Sequence, residues 1–194
     1  MKTFMKRLFF ASIALFLSCS SPAALTTSYG PEAARLAILI RQDVHKVAPV
    51  DTFELARHVI KLSHEYNIDP LLILAMVKVE SDFKPSAHSG AGAIGLMQLM
   101  PIVIREVGSD ISISKKSDLY DPYKNLHLGV HYLTYLLEKY HFNLQKALIA
   151  YNLGPTALNS KISQRNFIPV NYFKKVMISY QNYQKKMKLF PEVT

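Results

Sequence analysis

One long apolar run constrains this chain more than any other feature of its sequence. The run begins at Leu71, directly after Asp69 and Pro70, and is closed by Glu80. An aspartate followed by a proline is typical of an N-cap and the first residue of a helix. Pro85 stops the helix soon after Glu80. The sequence therefore predicts an apolar helix that carries a carboxyl group near its end.

The carboxyl group of Glu80 falls on the apolar side of this predicted helix. Ile73, Met76 and Val77 precede it at helical spacing and share its face. Burial there raises a carboxyl pKa, so the group stays protonated and can donate to a leaving oxygen. The alternative is a solvated carboxylate at a helix end, paired with Lys84 on the next turn.

The segment that follows the acid combines a hydroxyl group, glycines and a lack of charge. Ser89 precedes Gly90, Gly92 and Gly95, and residues 91–100 carry no charge. Glycines allow conformations closed to other residues and let a ligand approach the main chain. An uncharged segment of this kind suits the neutral hydroxyl and acetamido groups of a sugar. An ordinary surface loop has the same composition.

A third segment, Ala150 to Pro155, ends an apolar helical pattern with a Gly-Pro pair that is typical of a helix stop. Tyr151 lies on the apolar face of that pattern. The usual fate of such a tyrosine is a core position with its hydroxyl bonded internally.

These segments match a known family in four ordered blocks. The blocks are Glu80-Ser81, Ser89 before GAIGLMQLMP (92–101), Asn125 to Gly129, and AYNLG (150–154). They resemble the lytic transglycosylases with a soluble-lytic-transglycosylase-like (SLT) catalytic domain, whose fold is related to goose-type lysozyme. The segment IPVNYF (168–173) is similar to the closing region of that family. Two departures, Val103-Ile104 for Thr-Ala and Val170-Asn171 for Glu-Thr, concern groove contacts and substrate preference rather than the acid.

The resemblance implies cleavage of the β-1,4 bond between N-acetylmuramic acid and N-acetylglucosamine in peptidoglycan. The family's product is a 1,6-anhydromuramyl end, formed when the sugar's own C6 hydroxyl attacks the anomeric carbon. By the same resemblance, Glu80 acts first as the acid and then as the base. Ser89 matches a serine that orients the acid or contacts the muramyl acetamido group.

The resemblance also implies a set of substrate-binding residues beside Glu80 and Ser89. Gln98 and Met100 match residues that line the sugar subsites. Tyr151 matches a tyrosine whose hydroxyl approaches the catalytic glutamate. Asn152, placed in the same group, shapes with Gly154 the turn that positions Tyr151.

The shortage of nearby carboxylates agrees with single-acid chemistry. Ordinary glycosidases need a second carboxylate, as a nucleophile or to activate water. Asp82 points to another side of the helix from Glu80, and the positions in space of the other acids stay open from sequence: Glu106, Asp110, Asp118 and Asp121. Two alternatives remain, a lysozyme-type hydrolase that leaves reducing ends and a non-catalytic peptidoglycan-binding or secretion-system assembly protein. Retention of the acid and its neighbours argues against the second.

The N-terminus predicts export. Three basic residues precede the apolar run 8–17, and small residues follow, as in a secretory signal peptide spanning 1–23. Phe16 to Cys19 alternatively resembles an imperfect lipobox, so that the leader would span 1–18 and Cys19 would be lipidated. We therefore expect a periplasmic protein or an outer-membrane lipoprotein. Cys19 is the sole cysteine, which excludes an intramolecular disulfide.

The pattern along the chain predicts an all-α, lysozyme-like fold with at most a minor hairpin near 111–114. We expect a linker and helix over 24–50, with the helix either packed on the domain or acting as a spacer, and a catalytic domain over 51–188. Helices are predicted at 31–47, 51–66, 70–82, 101–107, 122–140, 144–151 and 169–188.

The net charge of +9 suits the carboxylates of peptidoglycan, which is the expected partner, with envelope or secretion-system proteins possible. The leader argues against a nucleic-acid partner. His127 and His131 form an i,i+4 pair without the glutamate of a zinc-protease helix. No metal site and no cofactor are expected.

Overall fold

The chain folds into helices packed around one apolar core. The computed structural model describes residues 30–44 and 51–190. Within these residues the α-helices are α1 (Gly30–Asp43), α2 (Thr52–Tyr66), α3 (Pro70–Ser81), α4 (Ile102–Val107), α5 (Pro122–Lys139), α6 (Leu144–Leu153), α7 (Pro155–Ser163) and α8 (Asn171–Met187). The described ranges contain no β-strand, and the predicted all-α class is confirmed. The predicted leader and Cys19 lie outside the described residues.

Side-chain caps begin the helices that the Asp-Pro pairs predicted. Asp69 Oδ1 accepts the Leu71 N–H at 2.8 Å at the start of α3. Asp121 Oδ1 accepts the Lys124 N–H at 2.8 Å at the start of α5. In both helices proline is the first helical residue, where its missing N–H costs nothing and its fixed φ is already helical.

The interpretation of Gly154-Pro155 as a simple stop was incomplete, because α7 begins at Pro155. Gly154 adopts φ 90° and ψ 139°, a conformation that turns the chain sharply between α6 and α7. The proline then serves as the first residue of the next helix. A Gly-Pro pair therefore ends one helix and starts another here.

The sequence allowed at most a minor hairpin near 111–114. The structure has a tight turn at this place. A 3-10 turn spans Gly108–Ile111, and the Ile113 N–H donates to the Gly108 carbonyl at 2.8 Å. Isolated β-bridges occur in another place, where Ile94 pairs with His88 and with Leu99 inside the glycine-rich loop.

Helix α3 occupies the centre of the core. Every residue from Leu71 to Val77 is buried, and α8 packs along α3. Helix α1, which the sequence assigned to a linker and helix before the domain, packs on α2 and α8. Its side chains Leu36, Leu39 and Ile40 are fully buried. No helix in the described part of the chain is long and apolar enough to cross a bilayer.

Candidate active site

Glu80 lies in the last turn of α3 with its carboxyl group largely buried. The Tyr172 hydroxyl, from the first turn of α8, donates to Glu80 Oε1 at 2.6 Å. Burial raises the pKa of Glu80 to about 7, and the Tyr172 hydrogen bond opposes this rise by stabilising the carboxylate. A pKa near neutrality suits a group that gives up a proton and takes one back. This environment contradicts the alternative of a solvated carboxylate at a helix end.

No second carboxylate of the described residues contributes to the raised pKa of Glu80. Asp82 and the four acids whose positions the sequence left open have other neighbours. These are Lys78 for Asp82, Tyr132 for Glu106, His131 for Asp110, Lys124 for Asp118, and the N-terminus of α5 for Asp121. The site is therefore built on one buried acid.

Two tyrosines lie near the acid, and the role expected for the Tyr151 hydroxyl stays a prediction. That hydroxyl donates to the Met97 carbonyl at 3.1 Å, whereas Tyr172 holds Glu80. Tyr151 is still near the acid, because burial and the charge of Glu80 raise the pKa of Tyr151 well above its ordinary value. Tyr172 was not named as a site residue. Its only sequence signal was its place in the segment 168–173 that resembles the family's closing region.

Ser89 closes the glycine-rich loop on itself. Its N–H donates to the Ala93 carbonyl at 3.0 Å, and its Oγ accepts the Ala93 N–H at 3.0 Å. Gly92 adopts φ 92° and Gly95 adopts φ 79°, which other residues rarely reach. The hydrogen bonds of Ser89 thus shape the loop rather than hold the acid.

Gln98 braces the same loop from its other end. Its Nε2 donates to the carbonyls of Ala87 and Gly95, each at 3.1 Å, and its backbone has φ 46°. Met100, two residues further on, leaves 39% of its surface exposed. Asn152 is exposed on α6. Both exposed side chains are available to a ligand.

A buried amide fixes the segment that carries Gln98. Asn125, fully buried in α5, accepts the Met97 N–H at 2.8 Å through Oδ1. Its Nδ2 donates to the carbonyls of Ile94 and Leu119 at 2.8 and 2.9 Å. With Tyr151 on the Met97 carbonyl, the backbone of Met97 is held on both sides. The Asn-x-x-x-Gly block therefore positions the loop beside the acid.

Gly129 is the glycine of the Asn-x-x-x-Gly block, and Met97 packs against it. A Cβ at residue 129 would lie 2.7 Å from the Cβ and Cγ of Met97. Only a residue without a side chain lets Met97 pack this closely on α5.

The histidine pair is engaged with other groups. His127 Nε2 lies 2.8 Å from the Tyr66 hydroxyl, and His131 Nε2 lies 3.4 Å from Asp110 Oδ2. Across residues 30–44 and 51–190 there is no group of three or more His, Cys, Asp or Glu side chains arranged to hold a metal ion.

The fold and the site together define a helical protein with one buried acid beside a glycine-rich loop. The family described as the Transglycosylase SLT domain matches residues 57–173, and the chain belongs to this family. The match covers all of the blocks that carried the resemblance in sequence.

Relatives in sequence and structure agree with the family assignment. A transglycosylase of Enterobacteria phage PRD1 is 32% identical over 62% of this chain and 42% of the relative. Membrane-bound lytic murein transglycosylase C of Actinobacillus succinogenes is 41% identical over 50% of this chain and 30% of the relative. This chain thus spans less than half the length of these relatives.

Solved structures share the fold. The 70 kDa soluble lytic transglycosylase of Escherichia coli aligns with 87% of this chain and 31% of its own, with TM-score 0.56 and 23% identity. The lytic transglycosylase Slt of Pseudomonas aeruginosa, solved as an inactive glutamate-to-glutamine variant, aligns with 84% of this chain and 27% of its own. Its TM-score is 0.52 and its identity 24%. The predicted lysozyme-like fold is confirmed.

Proposed function

We propose that this protein is a peptidoglycan lytic transglycosylase with Glu80 as its single acid and base. The observation that carries the proposal is the buried Glu80 carboxyl group, with a pKa of about 7, no contributing second carboxylate and one tyrosine donor. The substrate is the β-1,4 bond between N-acetylmuramic acid and N-acetylglucosamine. Membership of the SLT family supports this reaction.

The reaction uses Glu80 first as a proton donor and then as a proton acceptor, so the carboxyl group regains a proton from the C6 hydroxyl in place of the one it gave to the leaving sugar. Protonated Glu80 donates its proton to the glycosidic oxygen as the bond to the anomeric carbon breaks, and the sugar stabilises the positive charge that develops. The resulting carboxylate takes the proton from the C6 hydroxyl, whose oxygen bonds to the anomeric carbon. The Tyr172 hydrogen bond stabilises the carboxylate between the two steps. No water enters the product, which accounts for the 1,6-anhydro end.

We assign the substrate contacts to residues of the glycine-rich loop and of α6. We assign Gln98 and Met100 to the wall of the sugar subsites, supported by the fixed backbone of the preceding residue Met97. Ser89 and Asn152 are assigned to the same groove. Tyr151 positions this wall through its bond to the Met97 carbonyl.

Mass spectrometry of products released from purified peptidoglycan tests the proposal. The wild type is expected to release muropeptides that are one water lighter than the reducing forms. Glu80→Gln keeps the shape and an acceptor for Tyr172 but lacks the proton, so it is expected to release none. Asp82→Asn is the matched control, because Asp82 pairs with Lys78 outside the site and asparagine tolerates its positive φ.

The other outcomes of that experiment contradict the proposal in different ways. Reducing-end products from the wild type would identify a hydrolase and require a second catalytic group. Unchanged cleavage by Glu80→Gln would remove Glu80 from the mechanism. A wild type that binds peptidoglycan without cleaving it would be a binding module.

We also propose a location in the cell envelope. The leader-like N-terminus supports export, and several relatives are membrane-bound lytic murein transglycosylases by name. Metabolic labelling with a palmitate analogue separates the two processing routes. Label that is lost in Cys19→Ser identifies a lipoprotein, whereas an unlabelled product that begins at residue 24 identifies ordinary cleavage after residue 23.

A further inference from the structure

Three tyrosines on the inner face of α8 each donate a hydrogen bond to a carboxylate of another element. Tyr172 donates to Glu80 at 2.6 Å, Tyr180 donates to Asp69 Oδ2 at 2.5 Å, and Tyr183 donates to Asp43 Oδ2. The first of these bonds belongs to the site. The tyrosines of the other two bonds lie outside the residues that match the family, 57–173, as does Asp43.

The carboxylate of Asp43 occupies a position that its own helix disfavours. Asp43 is the last residue of α1, where the partial negative charge of the helix end repels an anion. Its side chain is nevertheless only 17% exposed. Tyr183 donates to one carboxylate oxygen, while the ammonium groups of Lys78 and Lys186 lie 3.9 and 3.6 Å from the other. Through these contacts the Asp43 carboxylate connects the end of α1 to α3 and α8.

Asp69 has two tasks at the start of α3. Its Oδ1 accepts the Leu71 N–H and caps the helix, while its Oδ2 accepts the Tyr180 hydroxyl. Helix α3 is therefore connected to α8 at both ends, through Asp69 at its beginning and Glu80 at its end. The bonds of Tyr172 and Tyr180 join α8 to the two ends of α3, and the bond of Tyr183 joins α8 to the end of α1.

These bonds limit how α8 can move. Tyr172 and Tyr183 are about 16 Å apart along the helix axis, at 1.5 Å per residue. A helix transmits a rotation or a slide at one end to the other because its backbone is rigid over this length. The hydrogen bond to Glu80 tolerates a displacement of only a few tenths of an ångström before it weakens.

We propose that Asp43, Tyr180 and Tyr183 are positioning residues that fix the rotation and register of α8 and thereby hold the Tyr172 hydroxyl on Glu80. The proposal rests on the proposed function of Glu80 as the acid. It assigns a role in the site to α1 and to the C-terminal part of α8, which the family match does not cover.

The proton affinity of Glu80 measures the contact directly. We would titrate the Glu80 side-chain carbon by 13C NMR, assigned by its loss in Glu80→Gln. The Tyr172 bond lowers the Glu80 pKa, so Tyr172→Phe raises it. The double variant Tyr180→Phe, Tyr183→Phe keeps both rings and Tyr172, and is expected to raise the Glu80 pKa in the same direction by a smaller amount. Single variants replace the double variant if it does not fold.

A matched control separates positioning from general stability. Tyr140→Phe also removes a tyrosine hydroxyl, which here donates to the Pro155 carbonyl and to Asn159, away from α8. It is expected to lower the melting temperature without changing the Glu80 pKa. Asp43→Asn retains an acceptor for Tyr183, whereas Asp43→Ala does not. The Glu80 pKa is therefore expected to stay closer to the wild-type value in Asp43→Asn than in Asp43→Ala.

The result that overturns the proposal is a Glu80 pKa in the folded double variant equal to that of the wild type. An equal rise in the Tyr140→Phe control would also overturn it, since loss of stability alone would then explain the change. The titration needs no turnover. A wild type without cleavage activity would contradict the proposed function, while the response of the Glu80 pKa to the variants would still decide the positioning role.

Discussion

At the scale of single residues, Glu80 is held in an environment that favours its neutral form. Its ordinary pKa is 4.5, and burial in the folded protein raises the pKa to about 7. Between these values the folded protein holds a proton that the unfolded chain has released. The stability of the fold therefore decreases as the pH rises through this range. Catalytic readiness and stability oppose each other at this carboxyl group.

This opposition predicts that Glu80→Gln stabilises the protein at high pH. Glutamine carries no charge to bury, so the variant avoids a loss of about 3 kcal/mol above pH 7. We expect it to be more stable than the wild type at pH 8 and similar at pH 4.5, as measured by urea unfolding. Asp82→Asn is the control, expected to show no such gain at pH 8. An equal gain in stability for Glu80→Gln at both pH values would show that burial of the Glu80 charge is not its cause.

The two tyrosines near the acid differ in what their hydroxyl groups do. Removing the Tyr172 hydroxyl takes a hydrogen bond from the Glu80 carboxylate, so the pKa of Glu80 rises and activity persists to higher pH. We also expect kcat to fall by about tenfold or more, because the carboxylate loses its orientation. Tyr151→Phe is expected to leave the pH at which activity declines unchanged and to raise KM, because its hydroxyl holds Met97. The pH dependence of kcat/KM checks both, and a reversed pattern would mean that the Tyr151 hydroxyl, rather than that of Tyr172, sets the pKa of Glu80.

The sequence predicted Glu80 but not its partner. The apolar face around Glu80 follows from helical spacing within one element, which can be read locally. The Tyr172 contact joins residues 92 positions apart, and it depends on how α8 lies on α3. The family resemblance named Tyr151, whose motif is the more recognisable one, and gave Tyr172 no role. Side-chain direction across two elements is not contained in either motif.

At the scale of elements, the glycine-rich loop depends on Gly95. Its φ of 79° is unfavourable for other residues, and a Cβ there would lie 2.3 Å from Asn125 Nδ2 and 2.9 Å from the Leu119 carbonyl. Asn125 cannot move away without breaking buried hydrogen bonds. The strain and the steric overlap act on the same few atoms.

Gly95→Ala is therefore expected to destabilise the protein by about 3 kcal/mol. Gly90→Ala is the matched control, since a Cβ there meets nothing within 4 Å. We expect its effect to stay within about 0.5 kcal/mol. Thermal and urea unfolding of both variants check the difference. Similar melting temperatures would mean that the loop relaxes around the added methyl group.

The starts of helices that follow an Asp-Pro pair were more predictable than the existence of the short helix α7. The starts of α3 and α5 could be predicted because Asp-Pro caps act within three residues. Helix α7 was missed because a Gly-Pro pair fits both an end and a new start. The choice depends on whether the following residues find a surface to pack on, and Leu158 is fully buried.

At the scale of the whole molecule, the domain includes more than its family match. The sequence separated residues 24–50 from a catalytic domain over 51–188. In the structure α1 buries Leu36, Leu39 and Ile40 against neighbouring helices and ends at Asp43, beside α3 and α8. An amphipathic helix alone does not reveal which surface it covers, so this packing could not be predicted from the sequence of α1.

A pair of neighbouring residues tests whether α1 is part of the cooperative core. Leu39 is fully buried, whereas Ile38 leaves 46% of its surface exposed. Leu39→Ala is expected to cost about 2–4 kcal/mol, because a cavity opens between α1 and the helices that cover it. Ile38→Ala truncates an aliphatic side chain of similar size on the same helix. It is expected to lower the free energy of unfolding by less than about 1 kcal/mol. If α1 were a spacer that unfolds independently, both variants would leave the main urea transition unchanged. A large loss for Leu39→Ala alone would show that α1 unfolds together with the helix that carries the acid.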